Sequence, residues 1–324
     1  MAAASSLVVL AAVLLGADAP DDVAHSGNAP RQIAAKAIPY VLDAGERWQR
    51  QKDCLSCHRV AMTSWALNAA AREGIAFDPD RGDALRDWTA NWRSVVNPKR
   101  RDDTSRKDAL RGEPDTIAQL LLASAVEKGR SVVDDDYADQ LLAARLDDGT
   151  WPATGQLPLQ DRPEPETHAV TTGWVLVALH DAGRADTAEL RTVLATLPDP
   201  SDAATSETAA VRLLLDALGG DESATAERDR LHRLQNDDGG WPWRIGGESD
   251  ALGTGIALYA LARSETTTDD PAVADAVAWL AETQQASGRW SVPGTKRTAG
   301  GRITETASYW GTCWAVIGLL EFAD

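Results

Sequence analysis

The chain alternates between two kinds of segment along most of its length. One kind is rich in Ala, Leu, Trp and Gly and apolar on every side of a helix, which is typical of buried helices. The other kind carries charges on one side and is typical of amphipathic helices. No run alternates with the two-residue period of a strand, so we predict an all-α fold. The apolar segments are predicted at 60–73, 114–128, 167–183, 205–218, 249–264 and 304–322, and the amphipathic ones at 33–50, 83–96, 134–146, 186–197, 222–235 and 271–285.

Three similar turns follow amphipathic segments: "ARLDDGTWPATG" at 144–155, "RLQNDDGGWPWRIGG" at 233–247 and "TQQASGRWSVPG" at 283–294. Each contains glycine, which fits the left-handed end of a helix, and then a tryptophan that can cover the turn. Successive apolar segments start roughly 40–55 residues apart, the size of a helical hairpin repeat. Six such hairpins closing into a ring would bury all six apolar helices together.

These turns resemble the QW repeat, Gln-x(2–5)-Gly-x-Trp, of squalene-hopene cyclases and terpenoid cyclases. The resemblance covers most of residues 30–324 and implies a single α/α toroid, (α/α)6, which protein prenyltransferase β subunits share. It implies no activity, because neither the Asp-x-Asp-Asp acid of class II cyclases nor the prenyltransferase Asp-Cys-His zinc triad is recognisable. The matching residues are Gln285, Gly288 and Trp290, then Gln235, Gly240 and Trp241, and, without the glutamine, Gly149 and Trp151.

The stretch "QKDCLSCHRV" at 51–60 replaces the first Gly-x-Trp turn and contains Cys54, Cys57 and His58. Cys-x-x-Cys-His is the attachment signature of haem c. The two thiols form thioethers to the haem vinyl groups, and the adjacent histidine binds the iron on one face. We therefore predict covalent haem c with His58 as proximal ligand, and electron transfer with an exported redox partner as the function.

The motif also has interpretations without haem. A zinc site made of Cys54, Cys57 and His58 needs a fourth ligand, for which Cys313 is a candidate if the last and first apolar helices are neighbours. A thiol–disulfide pair also uses Cys-x-x-Cys, although no thioredoxin-like β-α-β pattern surrounds it. The spacing would equally fit a structural disulfide or a chance occurrence. Cys313 itself is typical of a small buried hydrophobe.

The haem prediction also requires an assignment of the distal iron ligand. Met62 lies four residues beyond His58, on the same side, and cannot easily reach the opposite haem face. His168 starts an apolar helix and is the best candidate, although a helix cap or a surface histidine is its ordinary interpretation. The sixth position of the iron could also stay open. The remaining histidines are His25 near the start of the chain, His180 within an apolar helix and His232 at the end of an outer helix.

A second functional hypothesis is a cavity-based enzyme or binder for an isoprenoid or a glycan, with the Cys-x-x-Cys-His motif structural or metal-binding. Acids at the starts of apolar helices would surround such a cavity, although they would also stabilise helix N-termini. Tryptophans on the same helices would line it or simply fill the core, and the proline-rich loop 159–168 is a candidate lid. A scaffold without chemistry is the third hypothesis. The acids are Asp115, Glu166, Glu207, Asp250 and Glu305, and the tryptophans are Trp65, Trp174, Trp310 and Trp314.

The start of the chain predicts export. Residues 1–19 resemble a signal peptide with an apolar core at 7–15, so we expect a mature toroid of residues 20–324 in the periplasm or secreted. No other stretch is apolar and long enough to predict a transmembrane helix. The net charge of −17 and pI of about 4.7 argue against nucleic acid as a partner, because its phosphates would be repelled.

Overall fold

The computed structural model describes residues 29–55, 59–98, 109–110, 112–126, 132–195, 200–220 and 224–323. These residues form thirteen α-helices and no β-strand, which confirms the predicted all-α class. The helices are α1 (Ala29–Lys52), α2 (Val60–Arg72), α3 (Pro79–Ala90), α4 (Trp92–Val95), α5 (Pro114–Val126), α6 (Val132–Ala143), α7 (Glu164–Asp181), α8 (Thr187–Leu194), α9 (Ser206–Gly219), α10 (Ala224–Arg233), α11 (Ala251–Arg263), α12 (Pro271–Thr283) and α13 (Glu305–Leu320).

Six helices form a closed inner ring. Each of α2, α5, α7, α9 and α11 contacts the next inner helix, and α13 contacts both α11 and α2. They correspond to the six apolar segments of the sequence, and the amphipathic helices α1, α3, α6, α8, α10 and α12 lie outside them. The predicted α/α toroid of six hairpins is therefore confirmed. The starts of the inner helices lie at one end of the ring, which we call the mouth.

The inner helices are apolar on every face because they pack on both sides. Fourteen residues of α13 are buried, from Ala307 to Leu320. The outer helix α12 buries only one side, through Ala272, Val273, Ala276 and Leu280. This difference explains the two kinds of segment in the sequence, since only the outer helices expose one face to water.

The tryptophans of the three similar turns make the same contacts. Each indole N–H donates to a carbonyl of the preceding outer helix, and each backbone N–H donates to a threonine hydroxyl of the following inner helix. Each turn therefore ties its outer helix to its inner helix. The carbonyl contacts are Trp151 to Leu141 at 2.6 Å, Trp241 to Leu231 at 2.7 Å and Trp290 to Leu280 at 3.0 Å, and the threonines are Thr172, Thr254 and Thr312.

In the last of the three turns, the glutamine that binds the glycine carbonyl is not the one that the sequence matched to the repeat. Gln235 donates through Nε2 to the carbonyl of Gly239 at 2.8 Å, and the corresponding contact in the last turn comes from Gln284, to Gly288 at 2.9 Å. The sequence analysis matched the repeat at Gln285, whereas the glutamine that makes the equivalent contact is its neighbour Gln284. In the 144–155 turn the side chain of Arg145 binds the carbonyl of Gly149 at 3.0 Å and takes the place of the missing glutamine.

Candidate functional site

A cavity lies at the mouth, between the starts of α2 and α13. We call it the mouth cavity; its volume is about 490 Å³. Its lining combines aromatic, cationic and neutral polar side chains, and the described lining contains no aspartate or glutamate. Six side chains give it this character: Trp48, Arg59, Gln160, Lys296, Arg302 and Trp310.

Residues 152–163 cross the mouth and form one wall of this cavity; we call them the strap. The backbone N–H of Asp161 donates to the carbonyl of Thr295 at 2.7 Å. Arg297 donates through Nη1 to the carbonyl of Gln160 at 2.8 Å. These contacts fix the strap to the loop that precedes α13. The loop predicted as a lid, residues 159–168, belongs to the strap only as far as Pro163, because α7 begins at Glu164.

Four aromatic rings fill the centre of the toroid beneath the strap. The ring centroids of Trp65 and Trp314 are 5.2 Å apart, those of Trp65 and Tyr259 are 5.4 Å apart, and Trp174 lies 5.1 Å from Trp314. The remaining central cavity, which Leu157 of the strap also lines, measures about 30 Å³. This is room for about one water molecule, so the open space of the toroid lies at its mouth.

Asp115 lines the central cavity, and one of its carboxyl oxygens has no hydrogen-bond partner among the described residues. It lies in the first turn of α5 and is 6% exposed. Its Oδ1 lies 3.4 Å from the hydroxyl of Thr154, and its Oδ2 has no hydrogen-bond partner among the described residues. Burial raises the pKa of Asp115 to about 7. Asp115 therefore keeps a proton in much of the population near neutral pH, beside the indoles of Trp65 and Trp310.

The four other acids at the mouth hold the scaffold together. Glu166 accepts hydrogen bonds from residues that precede and start α9, and Asp250 caps the start of α11. Glu207 binds two indoles and a buried arginine, and Glu305 pairs with Arg59. The donors are Ala204, Thr205 and Thr208 to Glu166; Trp174, Trp243 and Arg162 to Glu207; and Trp243, Leu252 and Gly253 to Asp250.

Trp48 and Arg59, which precede and follow the Cys-x-x-Cys-His motif in the sequence, line the mouth cavity. Cys54 is half-buried, and the indole N–H of Trp48 donates to its carbonyl at 2.7 Å. Cys57 and His58 lie outside the described residues. Arg59, the next residue, places its guanidinium 4.7 Å from the ring centroids of both Trp48 and Tyr309. Side chains on both sides of the motif therefore line the mouth cavity.

The other candidate ligands lie elsewhere. The side chain of His168 is 42% exposed, 4.0 Å from Glu164 at the start of α7, and it does not line the mouth cavity. His180 lies 3.8 Å from Asp181, and the ring of His232 lies 3.4 Å from Asp270. His25 lies outside the described residues, and Met62 is fully buried.

Cys313 is completely buried in α13, and burial raises the pKa of its thiol to about 12. The thiol is therefore protonated, as expected of a small buried hydrophobe. Within the described ranges no three His, Cys, Asp or Glu side chains come together in a group that could hold a metal ion. No helix in the described part of the chain is long and apolar enough to cross a bilayer.

Comparison with known proteins supports this architecture. Residues 198–324 match the family model of the squalene-hopene cyclase C-terminal domain. A type II terpene cyclase from Scytonema, solved in complex with geranylgeranyl dihydroxybenzoate, is 14% identical with a TM-score of 0.60, covering 92% of this chain and 98% of the cyclase. No curated protein matches.

Sugar-active proteins have the same fold. A solved glycosidase is 15% identical with a TM-score of 0.57, over 92% of this chain and 98% of the glycosidase. A family 88 glycosyl hydrolase from Bacteroides vulgatus is 12% identical with a TM-score of 0.55, over 89% and 98%. At these identities the likeness shows the fold alone. The chain is an α/α toroid with a fold like those of terpene cyclases and glycosidases, and its function has to be inferred from its own site.

Proposed function

We propose that the protein binds a largely apolar small molecule of isoprenoid type in the mouth cavity. The observation that carries this proposal is the cavity itself: about 490 Å³, open at the helix starts, with Trp48 and Trp310 in its lining. Concave sites with aromatic walls and a few polar groups are the usual form of small-molecule sites. Trp310 also lines the central cavity, so the ligand would contact the aromatic centre of the toroid through it.

The lining favours an isoprenoid over a glycan. Glycoside hydrolysis commonly needs two carboxyl groups on either side of the scissile bond. The described lining of the mouth cavity offers none, and Glu166, Glu207 and Asp250 are occupied by scaffold hydrogen bonds. The fold does not distinguish an isoprenoid from a glycan ligand, because a terpene cyclase and a glycosidase are about equally similar in structure to this chain. The tryptophans support the isoprenoid, because they offer apolar faces to a hydrocarbon chain.

Asp115 is the residue that would supply acid chemistry to such a ligand. Its carboxyl group, whose pKa burial raises to about 7, is partly protonated near neutral pH and has one oxygen without a hydrogen-bond partner among the described residues. In the structure Leu157 and Trp310 lie with Asp115 around the small central cavity, and Asp115 does not line the mouth cavity. Binding is therefore the function we propose, and Asp115 is the proton donor to test once a ligand is known.

The test is a binding titration followed by tryptophan fluorescence and calorimetry, with farnesol and geranylgeraniol against cello-oligosaccharides. Trp48→Leu changes a half-buried tryptophan of an outer helix that lines the cavity, and Trp88→Leu changes a half-buried one that does not. We expect the isoprenols to bind and Trp48→Leu to weaken binding about fivefold, the loss of one aromatic contact of about 1 kcal/mol. Oligosaccharide binding without isoprenol binding, or equal effects of the two variants, would contradict the proposal.

Covalent haem c is a second candidate, favoured by one specific observation. Trp48 and Arg59, which flank the Cys-x-x-Cys-His motif, both line the mouth cavity. Cys54 and Cys57 would anchor the haem and His58 would bind its iron, while the indoles and cations of the cavity would suit a flat ring with carboxylates. Bound haem would supply one-electron redox chemistry for exchange with an exported partner. None of the described lining residues is a histidine or methionine, so no distal ligand is assigned from the lining.

The haem candidate is tested by expressing the chain with residues 1–19 in a host that matures haem c, and recording the pyridine haemochrome of the denatured protein. We expect covalent haem in the parent protein and in Cys313→Ser, which changes a buried cysteine outside the motif. In Cys54→Ser we expect weakened or abolished attachment. A parent protein without haem, from a host that matures a control cytochrome, would contradict this candidate and remove the support for a redox partner.

A further inference from the structure

We propose that the mouth cavity recognises a ligand that carries a carboxylate or a phosphate, and that Gln160, Lys296 and Arg302 bind this anionic group. The inference rests on the proposed function, since it names the polar end of the molecule whose apolar part would contact Trp48 and Trp310. It is carried by two independent observations. One is the charge of the cavity lining, and the other is a buried side-chain amide without a partner among the described residues.

The lining is cationic in an acidic protein. The whole chain has a net charge of −17, yet the described lining contains Arg59, Lys296 and Arg302 and no acid. The charge of Arg59 is balanced by its ion pair with Glu305. Lys296 donates to the side-chain oxygen of Gln156, and Arg302 donates to the carbonyl of Thr298 at 3.0 Å, so both bind neutral acceptors. Their positive charge remains available to attract an anion into the cavity.

Gln160 is the second observation. It is 2% exposed, and within the described residues neither its side-chain nitrogen nor its side-chain oxygen has a hydrogen-bond partner. Its backbone groups are occupied, because its N–H donates to Leu157 at 3.0 Å and its carbonyl accepts from Arg297. A buried polar group left without a partner costs about 1–3 kcal/mol. Gln160 is one of the residues that line the mouth cavity, where a ligand oxygen could accept a hydrogen bond from its amide.

The strap explains how these groups come together. Gln160 belongs to the strap and Lys296 to the loop before α13, and the two residues form an isolated antiparallel backbone bridge. Arg302 lies further along the same loop, whose Gly294 N–H donates to the carbonyl of Arg302 at 2.9 Å. An arginine fork, a lysine charge and an amide donor together suit the oxygens of a carboxylate or phosphate. The same chemistry occurs in isoprenoid phosphates, in free carboxylic acids and in the propionates of a tetrapyrrole.

The experiment compares probes that share a body and differ in the end group. Farnesyl phosphate, farnesoic acid and farnesol form one series, and protoporphyrin IX and its dimethyl ester form the other. We expect each anion to bind the parent protein at least about tenfold more tightly than its neutral counterpart, and added salt to reduce that advantage. We expect Gln160→Leu to reduce it as well, because the leucine donates no hydrogen bond.

Two double variants that each remove two positive charges distinguish the loss of cations from the cavity lining from the change in the protein's net charge. Lys296→Met with Arg302→Met removes two cations from the lining, and Lys36→Met with Arg233→Met removes two exposed cations from outer helices. We expect the first pair to abolish the anion advantage while farnesol affinity is retained, and the second pair to preserve it. Melting temperatures confirm that each variant is folded.

The outcomes distinguish this inference from the proposed function. Equal binding of farnesol, farnesoic acid and farnesyl phosphate would overturn the inference and leave the isoprenoid proposal standing. Preference for protoporphyrin IX over its ester, without binding of any farnesyl probe, would support anion recognition and contradict the isoprenoid proposal. No binding of any probe, or an anion advantage that survives loss of Lys296 and Arg302, would overturn the inference.

Discussion

Arg59 and Glu305 form an ion pair between the first and last inner helices. Arg59 Nη1 lies 2.9 Å from Glu305 Oε1, and Nη2 contacts the other carboxylate oxygen. Arg59 is 3% exposed, whereas the side chain of Glu305 is 56% exposed. The pair links the start of the chain's first inner helix to its last one at the mouth. It also fixes the residue that follows the predicted haem motif.

Replacing Glu305 by Gln should change how stability depends on pH. Arg59 lowers the pKa of Glu305 below its ordinary value. A lowered folded-state pKa stabilises the protein above the unfolded-state pKa of about 4.3, and this contribution is lost as pH falls through the lower value. We expect Glu305→Gln to flatten the loss of stability below about pH 5, measured by urea unfolding. Glu164→Gln, which changes a largely exposed acid at the mouth, is the control and should leave the curve nearly parallel to the parent.

Asp115→Asn should have the opposite effect on the pH curve. Because burial raises the pKa of Asp115 to about 7, its stabilising contribution is present below about pH 4 and is lost between about pH 4 and 7. The variant should therefore lose less stability than the parent as pH rises over that range. Burial also raises the pKa of Asp250, to about 6. Asp250 is present in both proteins, so its contribution to the pH dependence cancels in the comparison. Parallel curves for Asp115→Asn, the parent and the exposed control Asp237→Asn would contradict the assignment.

Gly288→Ala should destabilise the closure of the ring. Gly288 has a φ of +84°, and an added Cβ would lie 2.1 Å from the carbonyl oxygen of Lys36 in α1. Gly246→Ala is a matched control, since Gly246 has a φ of +79° and nothing within 4 Å of the added atom. Backbone strain should cost each variant about 1 kcal/mol, and the clash should add about 2 kcal/mol or more to Gly288→Ala alone. Equal losses in urea unfolding would refute the close approach.

Trp65→Ala tests the filled centre. Trp65 is 1% exposed and packs against Trp314 and Tyr259. Its replacement by alanine should lower the free energy of unfolding by about 3–5 kcal/mol. It should also enlarge the central cavity, which measures about 30 Å³ in the structure. We expect added indole to raise the melting temperature of the variant and not of the parent, because apolar cavities bind apolar guests. Trp88→Ala, at a half-buried outer position, should show no such rescue.

The sequence predicted the helices well because burial on both sides and burial on one side leave different residue patterns. It could not separate Gln284 from Gln285, since only the hydrogen bond to Gly288 distinguishes two adjacent glutamines. It named Asp115 among five acids but could not rank it. Acids at helix starts look alike in sequence, and only burial and hydrogen-bond partners separate Asp115 from the other four.

The mouth cavity itself left no local signal. The strap and the loop before α13 meet across more than a hundred residues of chain, for example where Arg297 binds the carbonyl of Gln160. Gln160, Lys296 and Arg302 were consequently missed. His168 lies on an inner helix, four residues after the first residue, Glu164, and does not line the mouth cavity. The haem prediction depends on Cys57 and His58, which lie outside the described residues, and it stays a prediction.

The most direct test of the account is a crystal structure of the protein with farnesyl phosphate. We expect the farnesyl chain between Trp48 and Trp310, and the phosphate within hydrogen-bond distance of Gln160 and Lys296. Density instead in the separate cavity of about 200 Å³ between α7 and α9, lined by Pro165 and Val211, would contradict it.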